Sequence, residues 1–386
     1  MALASVIGIG ITRYGVLGSS FLELVMDAAS QALQDAGLGP EDIDAYYLGN
    51  FAGENFINQN HLAAYSASAI GLNGVPATRV EGACASGSLA VREAILAIKS
   101  GLYKRVLVVG AEKMTSLATS GVTSVLAKAS NWEAEVKHGL TFPAVFAFVA
   151  HRYMHQYGAT REHLAAVAVK NHDHALLNPK AHMHKKITLE EVLSSRHMVA
   201  EPFSRYDCSL ISDGASAMVL CAPELAETHR KDVVDIVGTG QASGRFEVFA
   251  NVSLTSFPAT RLAAERAFSM ANIKPGDVDV AEVHDCFTIA EIVATEDLGF
   301  FKPGEGGKAA LEGRTRLGGE LPINPSGGLK AKGHPVGSTG VGQGVEIVCQ
   351  LRGEAELRQV KNAVTGLTHN LGGAGGTCTV HIYKRR

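Results

Sequence analysis

The chain has little of what marks several common protein classes. Its six cysteines, Cys84, Cys208, Cys221, Cys286, Cys349 and Cys378, are scattered without a CxxC pair, which argues against a disulfide framework or a zinc knuckle. They read as reduced thiols. There is no long block of like charge, and 35 Lys and Arg balance 38 Asp and Glu, so no surface for nucleic acid or another polyanion is expected. No apolar run approaches the roughly 20 residues that span a bilayer, and Met1–Gly10 lacks a basic region followed by a cleavage site. The ending Lys384-Arg385-Arg386 is not a peroxisomal Ser-Lys-Leu. The expectation is a cytoplasmic protein with no membrane contact.

What the chain has is length and glycine. At 386 residues it can bury two or three domain-sized cores without staples. Its 42 glycines, about 11% of residues against an average near 7%, cluster late: Gly327, Gly328, Gly333, Gly337 and Gly340, then Gly372, Gly373, Gly375 and Gly376. Such density marks tight turns or backbone lying against a ligand.

Strand and helix patterns alternate. Val6–Thr12 reads as a strand, Phe21–Gly37 as a helix with Gly37 as its C-cap, and Asp42–Asn50 and Arg105–Gly110 as strands. The class is α/β. An offset of 235 residues lays "ALQDAGLGPEDID" on "AFSMANIKPGDVD", Ala32 on Ala267 and Asp44 on Asp279, and the Ser88–Gly101 helix and following strand are echoed by Gly340–Gly353 and Asn362–Leu367. The chain therefore reads as two related halves. Ser216–Cys221 and Val233–Thr239 are taken as closing strands of the first.

Between the halves lies an insert of about Lys113 to Ala200, with helices over Phe142–His155 and Glu162–His172. Its pairs His172/His174 and His182/His184 invite a metal reading, but no carboxylate or cysteine cluster supports it and Lys180, Lys185 and Lys186 adjoin. The preferred reading is a mobile, mildly basic cover over an anionic small molecule.

Four windows carry chemistry. In Val80–Ser88, Cys84 precedes a helix over Leu89–Lys99, and the partial positive charge of a helix N-terminus lowers a thiol pKa. The bland alternative is a small buried hydrophobe. The others are Val283-His284-Asp285-Cys286-Phe287, Lys332-Gly333-His334-Pro335-Val336-Gly337-Ser338-Thr339-Gly340, and His369-Asn370-Leu371-Gly372-Gly373-Ala374-Gly375-Gly376. Each is a polar or glycine-rich turn ending an apolar segment, the place where open α/β sheets gather their sites.

With these windows in place the chain resembles the thiolase family over essentially its whole length. "CASGS" around Cys84 resembles the nucleophile motif, "GHPVGSTG" the motif of the catalytic histidine, and "NLGGAGG" the last glycine-rich loop. It departs from the common pattern twice: His284-Asp285-Cys286-Phe287 stands in place of Asn-Glu-Ala-Phe, and Asn370 in place of the acid/base cysteine. Together these changes resemble the sterol-carrier-type and archaeal-type subgroup, in which the second cysteine belongs to His-Asp-Cys-Phe.

The resemblance implies two duplicated βαβαβαββ halves in five α-β-α-β-α layers with a helical loop-domain insertion. The boundaries expected are 1–112 with 201–250, then 113–200, then 251–386. It implies coenzyme A thioesters as substrates, acetoacetyl-CoA preferred, with no metal or redox cofactor. Its catalytic set is Cys84 as nucleophile, His334 as base, Cys286 as acid/base, and His284. Enolate donors are His284 and His334, and the acyl oxyanion lies between the N–H groups of Cys84 and Gly372. A homodimer or homotetramer and a small OB-fold, zinc-containing partner belong to the same implication. Asp285 is expected to face away and hold backbone, Phe287 to wall the pocket, and Cys208, Cys221, Cys349 and Cys378 to pack. Rival readings are a condensing enzyme of the hydroxymethylglutaryl-CoA or ketoacyl synthase type, which has no use for Cys286, and an acyl-CoA-binding scaffold subunit.

Overall fold

The computed structural model describes residues 1–250 and 253–386. Its strands are β1 (Ala4–Ile11), β2 (Ala45–Gly49), β3 (Ala77–Val80), β4 (Arg105–Glu112), β5 (Met198–Ala200), β6 (Phe203–Ser204), β7 (Gly214–Cys221), β8 (Val234–Ser243), β9 (Val280–Glu282), β10 (Thr365–Gly372) and β11 (Thr377–Arg385). The helices that organise them are α1 (Phe21–Ala36), α2 (Ser86–Lys99), α3 (Phe142–Tyr157), α4 (Arg161–Ala175), α5 (Pro258–Ala271), α6 (Thr288–Asp297) and α7 (Thr339–Arg352). Local chemistry sets their ends. Ser20 and Glu23 close a capping box on α1, and Gly37 stops it in the left-handed conformation.

Nine strands form one sheet in the order β3-β2-β4-β7-β1-β8-β11-β10-β9, while β5 and β6 make a separate ribbon. The order contains the duplication. In the first half β1, β7 and β4 pair antiparallel and β4 pairs β2 in parallel; in the second, β8, β11 and β10 pair antiparallel and β10 pairs β9 in parallel. A three-residue antiparallel contact, Ala4–Val6 against Val234–Ile236, joins the halves. Helices α2 and α7 lie between them: α7 touches strands of both halves, and α2 packs on those of the first while its Ser88 bonds Thr379 and His381 of β11, with α1 outside one half and α5 outside the other. These are the five layers expected.

The repeat holds at the level of atoms. A Cβ on Gly8 would lie 2.1 Å from the Ala32 carbonyl, and one on Gly238 would lie 2.4 Å from that of Ala267. Gly10 stands equally close to Ala28, and Gly240 to Ala263. Asp44 accepts from the N–H groups of Lys104 and Arg105 at 2.8 Å, as Asp279 does from Val364 and Thr365. Among the described residues the second half has no full counterpart of β3, whose place is marked by a bridge between Ile323 and Ala281.

These pairings correct one assignment. Val233–Thr239 belongs to β8, which opens the second half rather than closing the first, because it pairs with β11 and packs on α5 as β1 pairs with β7 and packs on α1. The halves therefore meet between β7 and β8, ahead of the boundary drawn at 250, which abuts the undescribed residues 251 and 252.

The insert is anchored rather than loose. Phe146 of α3 stacks on Phe287 at 4.8 Å between ring centroids. The buried Lys170 of α4 pairs with Glu291 at 2.8 Å. The histidines of the two pairs make structural bonds: His172 bonds the Lys185 carbonyl, His174 that of Asn324, His182 the Ser212 hydroxyl and His184 the Asn178 carbonyl.

Candidate active site

Cys84 sits in a short turn, Ala83–Ala85, that runs straight into α2. The turn is forced. Ala83 is held left-handed at φ 51°, at a cost of about 1 kcal/mol for a residue with a Cβ. Its N–H is tied to Glu81 at 2.6 Å, and Ser86 Oγ donates to its carbonyl at 2.6 Å. From the other half, His334 follows a π turn over Gly328–Lys332 and precedes α7. His284 and Cys286 leave the end of β9.

The halves bring these residues together. The Cys84 sulfur and one ring nitrogen each from His284 and His334 all lie within 4.8 Å of one another, and the two imidazoles meet edge to face at 5.3 Å. With Cys286 they line a cavity of about 370 Å³ whose walls are mainly apolar, including Phe51, Met114, Phe142, Phe146, Ile211 and Phe287. Phe287 is thus the wall it was expected to be.

The two imidazoles are held in opposite senses. Thr339 Oγ1 donates to the Pro335 carbonyl at 3.1 Å and contacts His334 Nδ1 at 2.7 Å, so Nδ1 carries the proton and Nε2 is left a lone pair. The Asn370 amide nitrogen lies 3.0 Å from His284 Nδ1. Asp285 turns away, accepting from the N–H groups of Leu329 and Lys330 and from the Asn171 amide. That is its expected role, and it ties the His284 loop to the turn leading into His334.

Burial governs the titration. It pushes the Cys84 thiol up to about 12, against the Gly373 N–H, which favours the thiolate. This corrects the expected lowering: cavity walls from distant parts of the chain outweigh one helix N-terminus. Cys286 is raised well above the usual thiol range, by burial and then by the neighbouring Cys84. Burial lowers His334 to about 3. At neutral pH the resting thiol and imidazole are both uncharged.

The N–H of Gly373 reaches the Cys84 sulfur, and Gly372 lies in β10 opposite Thr377. Cys208 lines the cavity rather than only packing, because it bridges Phe287 while the Ser209 N–H bonds the Cys286 carbonyl at 2.9 Å. Cys221, Cys349 and Cys378 do pack in hydrophobic layers. Sequence reasoning missed Glu112. This buried carboxylate at the end of β4 accepts from Asn50 Nδ2 and from the N–H groups of Phe51, Ala52 and Gly337, tying the cavity wall to the His334 loop. Its signal was a lone acid closing an apolar strand.

The duplicated five-layer fold, with a cysteine and two histidines at the helix and strand ends between its halves, defines the class to which the molecule belongs. Family models agree: "Thiolase, N-terminal domain" matches residues 6–224 and "Thiolase C-terminal domain-like" residues 240–385. The chain is 47% identical over 382 residues to an acetyl-CoA acetyltransferase of Methanothermobacter thermautotrophicus, covering 99% of both chains. It is 34% identical to bovine sterol carrier protein 2, covering 98% of this chain and 72% of that one. Among solved structures, an Ltp2-ChsH2(DUF35) aldolase aligns at TM-score 0.86 and 28% identity over 99% and 97% of the chains. Human mitochondrial 3-ketoacyl-CoA thiolase aligns at TM-score 0.76 and 17% identity, covering all of both chains. The chain belongs to the thiolase family, and it is an acyltransferase.

Proposed function

We propose that the chain catalyses reversible thiolysis of a short 3-ketoacyl-CoA, acetoacetyl-CoA first among them, through an acyl group carried on Cys84. The observation that carries this reading is the meeting of the Cys84 sulfur with two histidine nitrogens within 4.8 Å, beside Cys286 in a mainly apolar cavity. A relative 47% identical over nearly the whole chain and named an acetyl-CoA acetyltransferase supports the substrate.

His334 Nε2 takes the Cys84 proton as the sulfur attacks the 3-keto carbon. Because both partners rest uncharged, proton transfer accompanies the attack rather than preceding it. The C2–C3 bond breaks and its electron pair passes to the enolate of acetyl-CoA, which takes a proton at C2 from the Cys286 thiol and departs. Incoming CoA gives its thiol proton to the Cys286 thiolate and attacks the Cys84 thioester. The Cys84 sulfur leaves and regains its proton from His334. His284 and His334 serve as donors to the enolate oxygen, and the N–H groups of Cys84 and Gly372 as donors to the acyl oxyanion, each worth about 3 kcal/mol of barrier. Run backwards, the steps condense two acetyl-CoA molecules.

The scheme uses CoA thioesters as substrates and calls for no metal or redox group. A homodimer or homotetramer in the cytoplasm, working with a small OB-fold, zinc-containing partner, completes the reading. The neighbour whose name pairs Ltp2 with ChsH2(DUF35) supports a partner, and the archaeal relative supports the location. Among the described residues no helix is long and apolar enough to cross a membrane. The test is to add acetoacetyl-CoA and CoA to the purified protein and follow loss of the ketoacyl enolate absorbance. Two acetyl-CoA per acetoacetyl-CoA are expected, and no turnover in either direction would overturn the assignment.

A further inference from the structure

We propose that Asn370 is a positioning residue that fixes His284 as the tautomer protonated on Nε2, so that a neutral imidazole donates from Nε2 to the enolate oxygen of the substrate. The proposal rests on the thiolase reading above and assigns a task to a residue that the catalytic set leaves unused.

Asn370 is fully buried in β10. Its amide nitrogen lies 3.0 Å from His284 Nδ1, and an amide nitrogen only donates. Nδ1 must therefore accept, which leaves the single ring proton on Nε2. Among the described residues that Nε2 is buried and has no hydrogen-bond partner, on a side chain only 1% exposed that lines the catalytic cavity. A buried donor without an acceptor is costly unless a ligand supplies one. An oxygen bearing negative charge, placed near Cys84, is the acceptor that fits.

The orientation of the amide has its own physical cause. The Cβ position of Gly340 lies 2.6 Å from Asn370 Oδ1 and 2.3 Å from the Ser88 nitrogen. Ser88 is in the first turn of α2 and Gly340 in the first turn of α7. The positive ends of two helices gather there. That field favours the amide oxygen on this side and repels an NH₂ group. The helix ends thus turn the amide nitrogen toward His284, and Gly340 leaves the room required.

The loop is held as well. The His284 backbone N–H donates to His369 Nδ1 at 3.3 Å, and His369 Nε2 bonds Thr260 Oγ1 at 3.0 Å. With His334 carrying its lone pair on Nε2 and His284 its proton there, one imidazole is the base and the other the donor.

Two substitutions test this. In Asn370→Asp the carboxylate can only accept, so the His284 proton moves to Nδ1 and Nε2 presents a lone pair to the cavity. In Asn370→Leu the volume remains and the constraint disappears. The readouts are the His284 tautomer from ¹⁵N-edited spectra, kcat and KM for condensation of acetyl-CoA, and acetylation of Cys84 by acetyl-CoA. Condensation is expected to lose about 10²- to 10³-fold in kcat in Asn370→Asp, with KM changed by less than about threefold, and a smaller loss in Asn370→Leu. The Nδ1-protonated tautomer should appear in Asn370→Asp, and acetylation of Cys84 should persist in both variants. A His284 still protonated on Nε2 alone in Asn370→Asp, or a kcat within about twofold of the parent, overturns the proposal. Failure of the unsubstituted protein to acetylate Cys84 overturns the thiolase reading itself, so the two failures are told apart.

Discussion

The two halves share a scaffold and divide the chemistry. At the strand–helix contact they are nearly superposable, with Gly8 and Gly10 pressed against α1 as Gly238 and Gly240 are against α5. At the strand and helix ends they diverge. The first half supplies the thiol of Cys84 ahead of α2, and the second supplies His334 ahead of α7 together with His284 and Cys286 after β9. Where the helix ends meet, a Cβ on Gly87 would lie 2.6 Å from the Gly337 carbonyl. The contacts that build the frame are repeated because each half must bury the same face. The residues that react in the proposed scheme are not, because its nucleophile and base have to arrive from opposite sides of one cavity.

The largest effect should follow from removing the base that the second half contributes. His334→Ala is expected to lower turnover of acetoacetyl-CoA and CoA about 10³- to 10⁴-fold, measured by the initial rate; a loss below about tenfold would place the base elsewhere. Cys286→Ala should lower overall turnover about 10²- to 10³-fold while Cys84 still takes an acetyl group from acetyl-CoA, seen by intact mass. If acetylation is lost as well, the division of labour between the two thiols is wrong.

The shared scaffold is tested by a matched pair. Gly10→Ala and Gly240→Ala would each drive a Cβ to within about 2.2 Å of a helix carbonyl, that of Ala28 or Ala263, and each should cost about 3 kcal/mol of stability. Denaturant unfolding of both would break the symmetry if one variant were destabilised and the other were not. The smallest effect concerns protons. With the Cys84 thiol pushed up to about 12, its thiolate fraction rises about tenfold for each pH unit below that value. Alkylation of Cys84 by iodoacetamide should follow this slope between about pH 8 and pH 11. A plateau near neutral pH would mean that the helix terminus prevails over burial.

Much of the site was legible because each candidate residue sits in a short polar or glycine-rich window at the end of an apolar run. Cys84, His284, Cys286 and His334 could be picked out one window at a time, and the structure places all four around one cavity. The repeat was legible from Ala32 and Ala267 through Asp44 and Asp279, since those residues cap and tie the same turn in both halves. What escaped depends on partners distant in sequence. The connection from Gly238 to Ala267 is five residues longer than that from Gly8 to Ala32, so the offset that aligns the helices misaligns the strands and β8 went to the wrong half. The raised Cys84 thiol depends on enclosure by residues as distant as Phe51 and Ile211. The paired histidines of the insert look like ligands in sequence because the groups they bond, from the Lys185 and Asn178 carbonyls nearby to the Asn324 carbonyl in the second half, are fixed only by the fold.

The most direct test of the central claim is peptide mass spectrometry of the protein mixed with acetoacetyl-CoA in the absence of free CoA. An acetyl group on the peptide containing Cys84, discharged when CoA is added, is the predicted result. No acyl group on Cys84 from acetoacetyl-CoA or acetyl-CoA would contradict the nucleophile assignment, and the scheme built on it would fall.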